Sequence, residues 1–255
     1  MIRLFAIVRA IVFIPFVVFI TLVLGIPCIA YLSFRPSLRF GEWIIRTWCR
    51  LVLGFFSIKV TVDGLENLTD HGCLFLFNHS SLFDIPSTYV GLPKSHRYGA
   101  KIELFGIPVF GRVLRVTGIL PIARSKRREV LEIYRKSVER VRQGETFALA
   151  PEGTRQEDGK TLGAFKRGPF LFSLAGEIPI QPIVITGADD ILPKGDLLPA
   201  LGRWSWNIHL TVLPEVSTKG VDEEGMAKVQ AEVFDQMKTQ LEKDLKQRDH
   251  TPSVE

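Results

Sequence analysis

The sequence predicts an α/β fold: one globular domain built on a mixed β-sheet flanked by helices, preceded by an apolar helical segment that associates with a membrane. Three observations carry this. The 25 residues from Ala10 to Phe34 include no charged side chain, and about 20 apolar residues suffice to cross the hydrocarbon of a bilayer. Beyond Phe56, short apolar runs alternate with stretches of helical periodicity, the pattern of an α/β domain. The chain has 255 residues, of which 46% are hydrophobic and 23% charged. That length supports one domain with its own core, is short for two ordinary domains, and the composition excludes a disordered or low-complexity chain. The expected organisation is residues 1–56 as the membrane-associating segment, 57–247 as the globular domain and 248–255 as a disordered tail.

In order along the chain, the apolar run comes first. Arg3 and Arg9 precede it, and Arg35, Arg39, Arg46 and Arg50 follow it, so the positive-inside bias draws both ends toward the cytoplasm. Pro15, Gly25 and Pro27 interrupt it and favour a bend. A single crossing and a shallow element that enters one leaflet both remain, with the shallow form favoured. A cleaved secretory signal fits less well, because the stretch is long and no Ala-x-Ala site follows it. Phe40 to Phe56, with Trp43 and Trp48 between arginines, suits either a helix in the headgroup region or a core helix capping the next domain.

The globular part begins with Ile58, Val60 and Val62 alternating with polar residues, a half-buried strand. Cys73–Phe77 is a continuous apolar run and suits a strand covered on both faces. Ser125–Gln143 predicts an amphipathic helix ended by Gly144. Thr146–Ala150, Ile180–Ile185 and His209–Leu213 predict further strands, and Glu223–Lys246 a long helix. The formal net charge is +5, and it is unevenly spread. Residues 94–142 hold thirteen Lys or Arg against four Glu, with Arg124, Lys126, Arg127 and Arg128 bunched together. Such a bunch suits phosphates or an anionic lipid surface. No recognisable nucleic-acid module accompanies it, so nucleic acid is not an expected partner. Cys28, Cys49 and Cys73 show no paired spacing, and His71, His96, His209 and His250 are scattered. Neither a disulfide framework nor a metal site is expected.

Asn78-His79-Ser80-Ser81-Leu82-Phe83-Asp84 follows the buried strand, at the sheet edge where α/β proteins place ligands. A carboxylate five residues after a histidine reaches its ring only if the histidine precedes a helix or sits in its first turn, and Pro86 marks such a start. Asp84 would then fix the imidazole tautomer and leave the second nitrogen free to take a proton. From these two residues alone, a turn-capping His79 and a helix-capping Asp84 are the simpler reading. Pro151-Glu152-Gly153-Thr154-Arg155 follows the next buried strand, where glycine lets backbone approach a ligand and arginine offers a planar fork to phosphate. A competing pattern runs from Gly153 to Gly159-Lys160-Thr161 and looks like a nucleotide-binding loop. It has one residue too many, and Glu157 and Asp158 oppose phosphate.

Together, the NHxxxxD block, the segment from Lys101 to Arg124, the PEGTR block with its continuation Phe165-Lys166-Arg167-Gly168, and Ile180-Gln181-Pro182-Ile183 resemble the glycerolipid acyltransferases. The likeness is greatest to the bacterial 1-acylglycerol-3-phosphate acyltransferases and covers about residues 55 to 190. It implies that His79 and Asp84 form a catalytic dyad and that Lys101, Arg124, Gly153, Thr154 and Arg155 bind the acceptor phosphate. Glu152 is a candidate for orienting Arg155. The implied reaction moves an acyl group from an acyl-coenzyme A or acyl-carrier-protein thioester onto lysophosphatidate, with no bound cofactor and no acyl-enzyme. It also implies work at a membrane surface, on the cytoplasmic face of the cell membrane. The same chemistry on another lysophospholipid or a lyso-ornithine lipid, a membrane-associated P-loop NTPase and a non-catalytic lipid-binding scaffold are the alternatives.

Overall fold

The computed structural model describes residues 2–123, 127–196, 198–201 and 203–250. Within them a seven-stranded sheet runs in the order β1-β7-β6-β2-β5-β3-β4. Its strands are β1 (Ile58–Asp63), β2 (Leu74–Phe77), β3 (Arg97–Lys101), β4 (Leu120–Ile122), β5 (Phe147–Leu149), β6 (Ile180–Thr186) and β7 (Trp206–Val212). Every neighbouring pair is parallel except β6 and β7, which run antiparallel. The sheet is therefore mixed, as expected.

Helices cover both faces. Phe75 and Phe77 of β2 join a core with α1 (Ile2–Phe34), α2 (Leu38–Phe55) and α3 (Asp84–Gly91). Leu74 and Leu76 point the other way, into a core with α5 (Arg127–Arg142), α6 (Arg167–Gly176) and α7 (Glu223–His250). A strand between two helical layers must be apolar on both sides, and all four residues of β2 are buried. The short helix α4 (Phe110–Val116) packs against α1. There Gly25 allows the close approach, since a Cβ on it would lie 2.9 Å from a Val109 methyl.

Several boundaries differ from the sequence expectation. Helix α2 is a core helix: Ile44, Cys49, Val52 and Leu53 are buried against the domain, so its capping role prevails over a purely interfacial one. Helix α1 is one helix despite Pro15 and Pro27. Its Phe13, Phe16, Val17 and Ile20 meet the main core, while Ile11, Val18, Phe19 and Ile26 stay exposed on another side. Helix α7 continues through Arg248, whose guanidinium meets Asp190 at 2.6 Å, so 248–250 are helix rather than tail. All three cysteines are free and buried.

Candidate active site

Strand β2 ends at Phe77, and Asn78 releases the chain from the sheet. Its amide donates to the Ile185 carbonyl at 2.8 Å and accepts from the Ile185 N–H at 2.7 Å. The side chain thus continues the ladder with β6 while the main chain turns away. His79 is the first residue past that release, and Asp84 is the first residue of α3.

The two meet as the five-residue spacing requires. His79 Nδ1 lies 2.7 Å from Asp84 Oδ2. The same oxygen accepts the N–H groups of Ser80 and Ser81, each at 2.9 Å. Asp84 is fully buried, whereas the His79 side chain keeps 12% exposure. Three donors on one oxygen hold the carboxyl group in place. With Nδ1 donating, Nε2 is left as the acceptor, and no group among the described residues hydrogen-bonds it. Phe77 packs its ring edgewise on the imidazole at 5.7 Å.

His79 is also held by its backbone. Glu152, the third residue after β5 ends, accepts the His79 N–H at 2.9 Å and the Gly163 N–H at 3.0 Å. The Gln156 N–H donates to the His79 carbonyl at 2.8 Å. The loop after β5 therefore clamps His79 on both sides of its Cα. This corrects the role expected for Glu152: its two oxygens are engaged by main-chain donors, not by Arg155. Burial pushes the Glu152 carboxyl up to about 7, against the opposing pull of those two N–H groups.

Gly153 has φ +71°, a conformation that favours glycine, and sets the turn that returns the chain toward His79. Thr154 is exposed. Arg155 is half-buried, and its buried NH1 has no acceptor among the described residues, so a guanidinium donor stands unspent in the loop that holds His79. Lys101 ends β3, on the same sheet edge but two strands from β2. It is exposed, 3.4 Å from Glu103. Arg124 lies outside the described residues, shortly after β4. Residues 153–161 do not form a nucleotide loop. Asp158 Oδ1 accepts the N–H groups of Lys160 and Thr161, which occupies the donors a phosphate would need, and no helix begins until Arg167. Among the described residues no cluster of acidic, cysteine and histidine side chains is arranged to hold a metal.

Beside the dyad lies an apolar cavity of about 140 Å³ between α1, α2, α3, β3 and α4. Ile85, next to Asp84, and Tyr98, packed on Phe77, line it together with Trp48, Leu104 and Leu114.

Fold and site together define an α/β domain with an apolar N-terminal helix and a histidine–aspartate pair at the carboxyl edge of its sheet. The acyltransferase family model matches residues 59–186, half of the chain and every block around this pair. The chain belongs to the acyltransferase family. It is 33% identical over 163 residues to the chloroplastic 1-acyl-sn-glycerol-3-phosphate acyltransferase BAT2 of Brassica napus, covering 63% of this chain and 46% of that one. A 1-acyl-sn-glycerol-3-phosphate acyltransferase of Pseudomonas aeruginosa is 26% identical over 196 residues, covering 74% and 72%. The chain thus spans about half the length of the plant relatives it matches. The crystal structure of the 1-acyl-sn-glycerophosphate acyltransferase PlsC of Thermotoga maritima superposes with a TM-score of 0.76 over 95% of this chain and 98% of that one, at 22% identity. That likeness is one of fold.

Proposed function

We propose that the protein acylates 1-acylglycerol-3-phosphate, taking a fatty acyl group from a coenzyme A or acyl-carrier-protein thioester and giving phosphatidate. The observation that carries the reading is the His79–Asp84 pair, with Nδ1 held at 2.7 Å by a buried carboxylate and Nε2 left without a partner among the described residues. The acceptor hydroxyl gives its proton to His79 Nε2 as its oxygen attacks the thioester carbonyl. The tetrahedral intermediate collapses with cleavage of the carbon–sulfur bond. The departing thiolate recovers the proton from the imidazolium, and Asp84 stabilises that cation while it exists. No acyl group need rest on the protein, so no acyl-enzyme forms.

Arg155, with an unspent donor, binds the acceptor phosphate and fixes the distance from phosphate to hydroxyl. Gly153 and Thr154 shape that loop, Lys101 adds charge at the same edge, and the family resemblance assigns Arg124 to the same phosphate. The apolar cavity beside Ile85 and Tyr98 takes the acyl chain, since its lining offers no polar competitor. The names borne by the relatives support the choice of lysophosphatidate.

The protein works from the membrane surface. Helix α1 packs on the domain from Arg9, which donates to the carbonyls of Arg203 and Trp204, to Leu32, which packs beside Ile44 of α2. A helix fastened along that length to one domain cannot cross a bilayer away from it, which favours the shallow placement. The arginines flanking the apolar run favour the cytoplasmic face. The test pairs lysophosphatidate, lysophosphatidylcholine, lysophosphatidylethanolamine and lyso-ornithine lipid with both kinds of thioester. Phosphatidate formed selectively from lysophosphatidate is expected. Turnover of another lysolipid at an equal or higher kcat/KM overturns the acceptor assignment.

A further inference from the structure

A concavity of about 470 Å³ lies at the opposite edge of the sheet from His79. It opens where β3 and β5 begin, at Ser95–Arg97 and Glu145–Thr146, and α2 forms its other wall. Along α2, Arg39, Trp43, Arg46 and Arg50 fall at helical spacing on one face and all line it, with Arg97 opposite.

Two of these arginines are structural. Arg46 donates to the carbonyls of Tyr89, Leu92, Pro93 and Lys94, and pairs with Glu42 at 2.7 Å. Arg97 also pairs with Glu42, at 2.5 Å. One carboxylate thus faces two guanidinium groups. Arg97 is only 2% exposed, yet its Nε has no acceptor among the described residues. Arg39 and Arg50 are exposed and make no ion pair among the described residues. Trp43 is 53% exposed between them. The fold therefore keeps a positively charged groove with a buried donor unmet and an indole at its rim.

We propose that this groove binds the phosphate of an anionic phospholipid headgroup, at a site separate from the acceptor site. The rim supports a lipid over a free anion. Leu38 lines the groove and is exposed, and it lies one short turn after Phe34 at the end of α1, itself 87% exposed. Apolar side chains suited to acyl chains thus stand near a pocket suited to a phosphate, the two parts a lipid presents together. Trp43 at the junction has the amphipathic character that places tryptophan at headgroup level. Occupancy would seat α2 at the bilayer surface and hold α1 along it.

The site is read by binding alone, without thioester, so the outcome does not depend on the acyl-transfer reading. Full-length protein is titrated with vesicles of phosphatidylcholine, with and without phosphatidylglycerol, and partition and tryptophan emission are measured. The double variant Arg39→Gln/Arg50→Gln is expected to lose about thirtyfold in partition to the anionic vesicles and nothing on phosphatidylcholine. The emission shift induced by anionic vesicles should vanish in Trp43→Phe. Circular dichroism verifies that these exposed substitutions leave the fold intact. Equal partition of the double variant and wild type overturns the proposal. So does an equal loss in Lys59→Gln/Lys228→Gln, which removes the same charge elsewhere and would indicate diffuse attraction. Saturation of the Trp43 signal by inorganic phosphate, as effectively as by dihexanoyl phosphatidylglycerol, would assign the groove to a free anion and overturn the lipid assignment.

Discussion

Replacing Asp84 by Asn separates the carboxylate's charge from its shape. Oδ2 accepts from His79 Nδ1 and from the N–H groups of Ser80 and Ser81, while buried Oδ1 accepts from nothing. In Asp84→Asn the amide oxygen takes the Oδ2 place, because the NH2 group there would face three donors. The NH2 then occupies the Oδ1 position as a buried, unmet donor, costing about 1–3 kcal/mol of stability. The tautomer of His79 survives, but the anion that balances the imidazolium does not. Two unit charges about 4 Å apart at an effective dielectric of about 20 interact by about 4 kcal/mol, which is roughly a thousandfold in rate. Thiol release from an acyl thioester in the presence of lysophosphatidate measures the rate, and thermal melting in detergent measures the fold. The expected result is a fall of about 10³ in kcat with a melting temperature lowered by a few degrees. A folded Asp84→Asn protein within tenfold of wild type would refute the claim that Asp84 supports a cationic His79.

Arg155→Ala should raise KM for the phosphorylated acceptor by about 10- to 100-fold and change kcat little, because the lost charge-assisted bond acts on a phosphate that does not react. Initial rates over an acceptor series check this, and an unchanged KM would place the phosphate elsewhere. Glu152 gives a pH dependence of stability: its folded value of about 7 exceeds its usual 4.5, so the folded state holds the proton more tightly. The stability linked to that proton is complete below 4.5 and is lost as pH rises through about 7, a change of about 3 kcal/mol. Wild type should therefore lose stability relative to Glu152→Gln across that window in paired melting curves, and parallel curves would contradict the burial argument. On α1, Val18→Glu and Ile26→Glu alter exposed positions and should weaken flotation with vesicles without lowering the melting temperature. Undiminished flotation would move the membrane contact off this face of the helix.

What the sequence disclosed follows from where its signals are local. Strand β2 and the helices α5 and α7 stand out because their burial is written in their own periodicity. The His79–Asp84 pairing was legible only when the acyltransferase-like blocks were read together, since the spacing alone left two capping residues as the simpler reading. Strand β3, Arg97–Lys101, shows no such pattern: Tyr98 faces the core, Arg97 is buried only because Glu42 on α2 meets its charge, and Gly99 and Ala100 are small. Its strand state comes from pairing with β5 and β4. The tasks of Asn78 and Glu152 were hidden for a similar reason. Each is a polar side chain that satisfies main-chain groups of a segment distant in the chain, Ile185 for one and His79 for the other. Only the adjacency of β2 with β6 and β5 brings those partners together.

The central claim is that the His79 imidazole takes the acceptor's proton during direct transfer, and single-turnover formation of phosphatidate by His79→Ala addresses it most directly. With protein in excess over labelled thioester and lysophosphatidate saturating, the rate should fall by roughly 10²–10⁴ while melting and vesicle binding match wild type. Phosphatidate appearing at the wild-type rate in that variant would contradict the account.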